Sequence, residues 1–124
     1  MTNTADGYDE PEVLKDYIWK FYRGLWTEDE RLAEHAILVE QMFSRHWPNP
    51  NPDPRLAEER KKYAKNQFVW HMIDLGYEHL KASSRDRILR ESPSELYIHR
   101  CPTCKRVLAS PIARQCLWCG EDWH

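Results

Sequence analysis

The sequence predicts a mainly α chain, with a bundle of three to four helices over residues 1–92 and a small two-stranded segment over 93–124 that holds all four cysteines. Three observations carry this. Apolar residues up to about position 90 recur at spacings of three and four, as on a helix with one buried face. Prolines at every second position, Pro48, Pro50, Pro52 and Pro54, interrupt that pattern once. Beyond Ser92-Pro93 the pattern changes to short extended runs between paired cysteines.

Length and composition set the bounds. At 124 residues the chain holds a modest core that a cross-link would help. Hydrophobic residues at 41% and aromatics at 12% exclude global disorder. Met1 to Glu10 is polar and acidic, unlike a signal peptide. The longest aliphatic run, Ala36-Ile37-Leu38-Val39, is far too short for a bilayer span, so no membrane association is expected. A soluble, cytoplasmic chain follows. In that reducing setting, clustered cysteines serve as metal ligands or redox groups rather than structural disulfides.

Net charge is −2, unevenly spread. Residues 1–54 carry five Lys/Arg against eleven Asp/Glu, and residues 55–124 carry thirteen against nine. Within residues 55–91 nine basic residues are interleaved with six acidic ones, as on a solvated helix surface.

Helix 1 is expected on Leu14, Ile18, Phe21 and Leu25, with Pro11 in its first turn and Gly24 weakening its end. Helix 2 opens with Thr27-Glu28-Asp29-Glu30, a capping box in which Thr27 and Glu30 satisfy each other's amides. Leu32, Ala36, Val39, Phe43 and Trp47 make its apolar face. The proline run is a connector, without the i, i+3 prolines that recognition domains read. A long helix 3 starts at Asp53 and Pro54 and carries Leu56, Tyr63, Trp70 and Tyr77 every seventh residue, joined by Ile73 and Leu80, with Gly76 loosening it. Ser83-Ser84-Arg85-Asp86 would cap a further short helix through Ile88-Leu89, halted at Ser92-Pro93. No internal repeat is evident.

No pattern points to catalysis, and a non-enzymatic chain is expected. The residues three before the helical histidines are Leu32, Phe43, Phe68 and Gly76, which excludes the Glu-x-x-His pairs of a di-iron bundle. There is no HExxH, P-loop, nucleophile elbow or dinucleotide fingerprint. His71, Asp74 and Glu78 share one face of the expected helix 3, a spacing that ordinarily serves only helix stability.

The cysteines are specific. Cys101-Pro102-Thr103-Cys104 and Cys116-Leu117-Trp118-Cys119 are both C-x-x-C, with eleven residues between the pairs. Each tight turn aims two sulfurs at one point, so two turns supply a tetrahedron of four thiolates. Arg106-Val107-Leu108 and Ala113-Arg114-Gln115 are the expected strands between the pairs, with Leu96 to Arg100 leading in. Iron in the same geometry and dithiol redox chemistry are the alternatives to zinc. His99 and His124 flank the site but are not needed beside four cysteines.

Residues 96–124 resemble a zinc ribbon with two rubredoxin-type knuckles, on Cys101, Cys104, Cys116, Cys119, Pro102 and Gly120. The resemblance implies a small zinc β-ribbon after the helical bundle and one structural Zn2+ in a closed site. Knuckles usually place glycine after the second cysteine, and Gly120 fits. Lys105 departs from that pattern and implies either a left-handed residue costing about 1–2 kcal/mol or a different turn. Trp118 and Trp123 are expected to cover the site. With the ribbon near electrical neutrality, the favoured role is binding another protein as an adaptor or regulator. Nucleic-acid binding through Arg100, Lys105, Arg106 and Arg114 is the alternative, and an immunity-type partner of a basic toxin, using the acidic front, is a further one.

Overall fold

The protein is described by a computed structural model over residues 7–46 and 53–123. Trp47, Pro48, Pro50, Pro52 and His124 lie outside the described residues. Five helices follow one another: α1 (Glu10–Phe21), α2 (Glu28–His46), α3 (Pro54–Arg60), α4 (Gln67–Leu75) and α5 (Tyr77–Glu91).

The chain forms two compact units, one of Met1–Leu25 with Ser84–His124 and one of Trp26–Ser83, the second boundary falling inside α5. This division differs from the one expected at 92/93. The first helix belongs with the cysteine-bearing segment, because Tyr17 on it and Tyr8 just before it are hydrogen-bonded to that segment's backbone.

Within residues 26–83, α2 is the hub, packing against α3 and α4. Its capping box forms as expected: the Glu30 amide donates to Thr27 Oγ1 at 3.0 Å, and the Thr27 amide to Glu30 Oε1 at 2.9 Å. Ala33, Ala36, Ile37, Val39 and Phe43 of α2 are buried, as are Tyr63, Val69, Met72 and Leu80. The Tyr63 hydroxyl donates to Glu40 at 2.8 Å, and Arg60 grips the same carboxylate through Nε and Nη2 at 2.8 and 2.6 Å.

The single long helix 3 is not formed. Three helices stand in its place, because a turn after Arg60 leads to Asn66, whose side chain accepts the Val69 amide at 3.0 Å and starts α4 afresh. Gly76 ends α4 with φ 104°, a conformation that breaks the helix rather than loosening it. The expected cap at Ser83-Ser84 is not used either. Helix α5 runs through it, with Ser84 buried, and stops before Ser92-Pro93 as predicted.

In the other unit, α1 begins at Asp9, which accepts the Glu12 amide, with Pro11 in the first turn. It ends at Phe21, and a short 3-10 turn over Arg23–Leu25 takes up the rest of the predicted span. Leu14, Tyr17, Ile18 and Trp19 are buried. Arg85 and Arg87 of α5 donate to the carbonyls of Pro11 and Leu25 at 2.9 and 2.8 Å.

The expected β-ribbon is not formed by strands. Among the described residues the C-terminal segment has two isolated antiparallel bridges, Arg100 with Val107 and Gln115 with Asp122. Pairing therefore runs across each cysteine turn, not between the 106–108 and 113–115 segments.

Candidate metal centre

Each C-x-x-C pair sits at the tip of its own bridge, and the two tips are built alike. In the first, the Cys101 amide donates to Arg106 O at 2.9 Å, the Lys105 amide to Cys101 O at 3.0 Å and the Leu108 amide to His99 O at 2.8 Å. In the second, Cys116 donates to Glu121 O at 2.8 Å, Gly120 to Cys116 O at 2.9 Å and Trp123 to Arg114 O at 3.0 Å. Every bond and both bridges repeat with an offset of 15 residues, an internal repeat of backbone that the side chains conceal.

The repeat extends to the sulfurs. The amides of Thr103 and Cys104 point at Cys101 Sγ, both at 3.4 Å, and those of Trp118 and Cys119 at Cys116 Sγ, at 3.4 and 3.5 Å. A tight turn with a left-handed residue after the second cysteine gives this aim. Gly120 takes it with φ 82°, and Lys105 with φ 67°, so the first knuckle carries the less favourable residue rather than another turn.

All four sulfurs lie within 4.8 Å of one another. The close pairs cross between the knuckles, Cys101 to Cys119 and Cys104 to Cys116, each at 3.6 Å. Metal–sulfur bonds of about 2.3 Å give a tetrahedron with edges of about 3.8 Å, so the sulfurs fit around a tetrahedral ion. Four thiols alone do not share this space easily as thiolates. Burial opposes ionisation of Cys101, but the Cys104 and Thr103 amides and the neighbouring thiols outweigh it and bring its pKa down to about 7. At Cys119 a backbone hydrogen bond from Glu121 favours the thiolate, but partial desolvation of the sulfur and three adjoining thiols push its pKa up to about 12. A divalent cation would remove that conflict by neutralising the set.

Cys101 and Cys116 are buried with Leu108, and Cys104, Ala113, Trp118 and Trp123 pack against them, the covering role expected of the two tryptophans. Cys119 is the exposed member of the four. His99 stands outside the sulfur cluster, its ring 5.5 Å from that of Tyr97 and 6.2 Å from that of Trp123. His71 and Asp74 fall on α4 and Glu78 on α5, beyond the break at Gly76, so no single helix face joins them. Glu78 instead pairs with Lys81 at 3.1 Å.

Sequence reasoning missed the tyrosines that hold the knuckles to α1. The Tyr17 hydroxyl donates to Tyr97 O at 2.7 Å and accepts the His99 amide at 3.0 Å. The Tyr22 hydroxyl bonds both the carbonyl and the amide of Tyr97, each at 2.8 Å. Tyr8 accepts the Val107 amide at 3.1 Å, stacks edge-on with Trp118 at 5.0 Å and donates to Glu10, which Arg100 clasps at 2.8 Å. Phenols thus satisfy backbone groups that a further strand would have paired. The available signal was three tyrosines on or beside one short helix, Tyr8, Tyr17 and Tyr22, each with a hydroxyl to place.

No protein family, curated protein or solved structure matches the chain. Among the described residues no helix is long and apolar enough to cross a membrane.

Proposed function

We propose that residues 96–124 form a zinc ribbon holding one structural Zn2+ through Cys101, Cys104, Cys116 and Cys119, and that the chain is a non-enzymatic adaptor or regulator acting by binding another protein. The gathering of all four sulfurs within 4.8 Å carries the metal reading. Four protein ligands close a tetrahedral ion to substrate, which favours a structural over a catalytic ion. Zinc is preferred to iron on the ribbon-like spacing of the knuckles. Elemental analysis of the purified chain should find about one zinc per chain in a colourless protein; stoichiometric iron, or four free thiols without metal, overturns the assignment.

A protein partner is preferred to nucleic acid because three of the four basic side chains near the knuckles are engaged within the chain. Arg100 clasps Glu10 at 2.8 Å, Lys105 Nζ donates to Pro102 O at 2.9 Å, and Arg106 lies over the Tyr8 ring at 5.5 Å. Such groups make poor phosphate contacts without first giving up these partners. The acidic stretch 1–54 is divided between the two units, which weakens the immunity-type reading that uses it as one surface. Binding to random DNA or RNA at 150 mM salt is expected to be weaker than about 10 μM. Submicromolar affinity, lost on Ala substitution of Arg106 and Arg114, would instead establish the nucleic-acid role.

A further inference from the structure

The four sulfurs divide into two equivalent pairs. The 15-residue offset between the knuckles carries Cys101 onto Cys116 and Cys104 onto Cys119. Exchanging the knuckles therefore exchanges the two short separations, Cys101 to Cys119 and Cys104 to Cys116, each 3.6 Å. Each pair joins the first cysteine of one knuckle to the second cysteine of the other.

Exposure divides the sulfurs along the same line. Cys101 and Cys116 are buried, Cys104 is half-buried and Cys119 is exposed. Each pair thus has an inner sulfur and an outer one, and a small oxidant meets the outer one first. A disulfide holds its sulfurs at about 2.05 Å, so each pair closes by about 1.5 Å of sulfur movement. Both can close, because they share no atom. Four cysteines allow three connectivities, and these separations select one of them. Bonds within each knuckle would leave the two tips unlinked. The crossed bonds span 18 and 12 positions of chain and hold the tips together in place of an ion.

We propose that the site has a second, metal-free state, in which peroxide converts the zinc-thiolate centre to two crossed disulfides, Cys101–Cys119 and Cys104–Cys116, and expels the ion with the knuckles still joined. The proposal rests on the reading that the four cysteines hold zinc. Peroxide oxidises the outer sulfur of a pair to a sulfenic acid, and the inner thiolate then attacks that sulfur and displaces hydroxide. For each pair, two thiolates, one hydrogen peroxide and two protons give one disulfide and two waters. The O–O bond breaks and receives the two electrons that the sulfurs lose. Two such steps consume every ligand thiolate and leave Zn2+ free, because the thiolate is the ligand form of cysteine.

Stepwise addition of hydrogen peroxide to the full zinc-loaded chain tests it, with zinc content measured beforehand. About two equivalents are expected to release the zinc to a chromogenic chelator and remove all four thiols, with helical circular dichroism retained. Proteolysis without reductant, followed by mass spectrometry, should find the Cys101–Cys119 and Cys104–Cys116 linkages. Dithiothreitol and zinc should restore the starting state. Cys119→Ser should form Cys104–Cys116 alone and keep a free thiol at Cys101. Linkages within a knuckle, a Cys101–Cys116 bond, oxidation to sulfinic acid without a disulfide, zinc retained against peroxide, or loss of helix as zinc leaves overturns this proposal alone. A chain without zinc before peroxide is added overturns the zinc reading, and this proposal with it.

Discussion

Lys105 and Gly120 hold the same left-handed backbone, and each donates its amide to the carbonyl of the first cysteine of its knuckle, Cys101 at 3.0 Å and Cys116 at 2.9 Å. One position thus occurs twice in the chain, once with the residue suited to it and once without. The difference between them is measurable.

Lys105→Gly should stabilise the metal-loaded protein by about 0.5–1 kcal/mol, the relief of a left-handed side chain less the extra freedom that glycine gives the unfolded chain. Gly120→Lys should destabilise it by about 1–2 kcal/mol. Nothing lies within 4 Å of a Cβ built at Gly120, so the loss would be conformational rather than steric. Chelator competition and thermal unfolding of the two variants read both values, and equal effects of the same sign would contradict the account.

Tyr17→Phe removes a hydroxyl that joins two backbone groups of the segment leading into the first knuckle. The ring is buried, so the His99 amide is left unpaired at a cost of about 1–3 kcal/mol. Tyr22→Phe should cost less, because its bonds to Tyr97 lie where water can replace them. Urea unfolding of both variants tests the order.

Cys116→Ser should disorder more than the knuckles. Because α1 shares a compact unit with them, its helical signal is expected to fall with the metal site, while amide-exchange protection in α2 and α4 persists. Full retention of helical circular dichroism would show that α1 is ordered without the site.

Acid should loosen the contact between α2 and the end of α3. Hydrogen bonding from Arg60, then from Tyr63, holds the Glu40 carboxyl below its ordinary 4.5. A depressed pKa contributes stability that is present above the unfolded value and is lost as pH falls through the folded one. Glu40→Gln should therefore flatten the stability profile below about pH 4.5, by about 1 kcal/mol or less because Arg60 is partly in water. An unchanged acid limb would refute it.

What could be read from the sequence was what is local. The Thr27–Glu30 box and the two C-x-x-C turns depend on residues three apart, and both form. The break in helix 3 was hidden by its own regularity: Tyr63, Trp70 and Tyr77 keep a seven-residue rhythm across a chain that Asn66 and Gly76 divide. Strands were expected beside the cysteines because extended residues usually pair with strands. Here α1 pairs with them instead, through tyrosines some eighty positions away in sequence, and spacing carries no trace of such partners. The 15-residue repeat was equally concealed, since aligning Cys101 to Cys104 with Cys116 to Cys119 leaves little but the cysteines in common.

The split composition of the knuckle-bearing unit has a consequence for synthesis. One of its two stretches leaves the ribosome before residues 26–83 and the other after them, whereas residues 26–83 emerge as one continuous piece. The middle unit can fold as soon as it is made. Helix α1 cannot: Tyr17 and Ile18 must wait, with their apolar surfaces uncovered, until the stretch that carries both cysteine pairs has emerged. A nascent or truncated chain that stops short of Cys116 therefore carries an open hydrophobic helix ahead of its middle unit, a feature that chaperones and proteases can read as the mark of an unfinished protein.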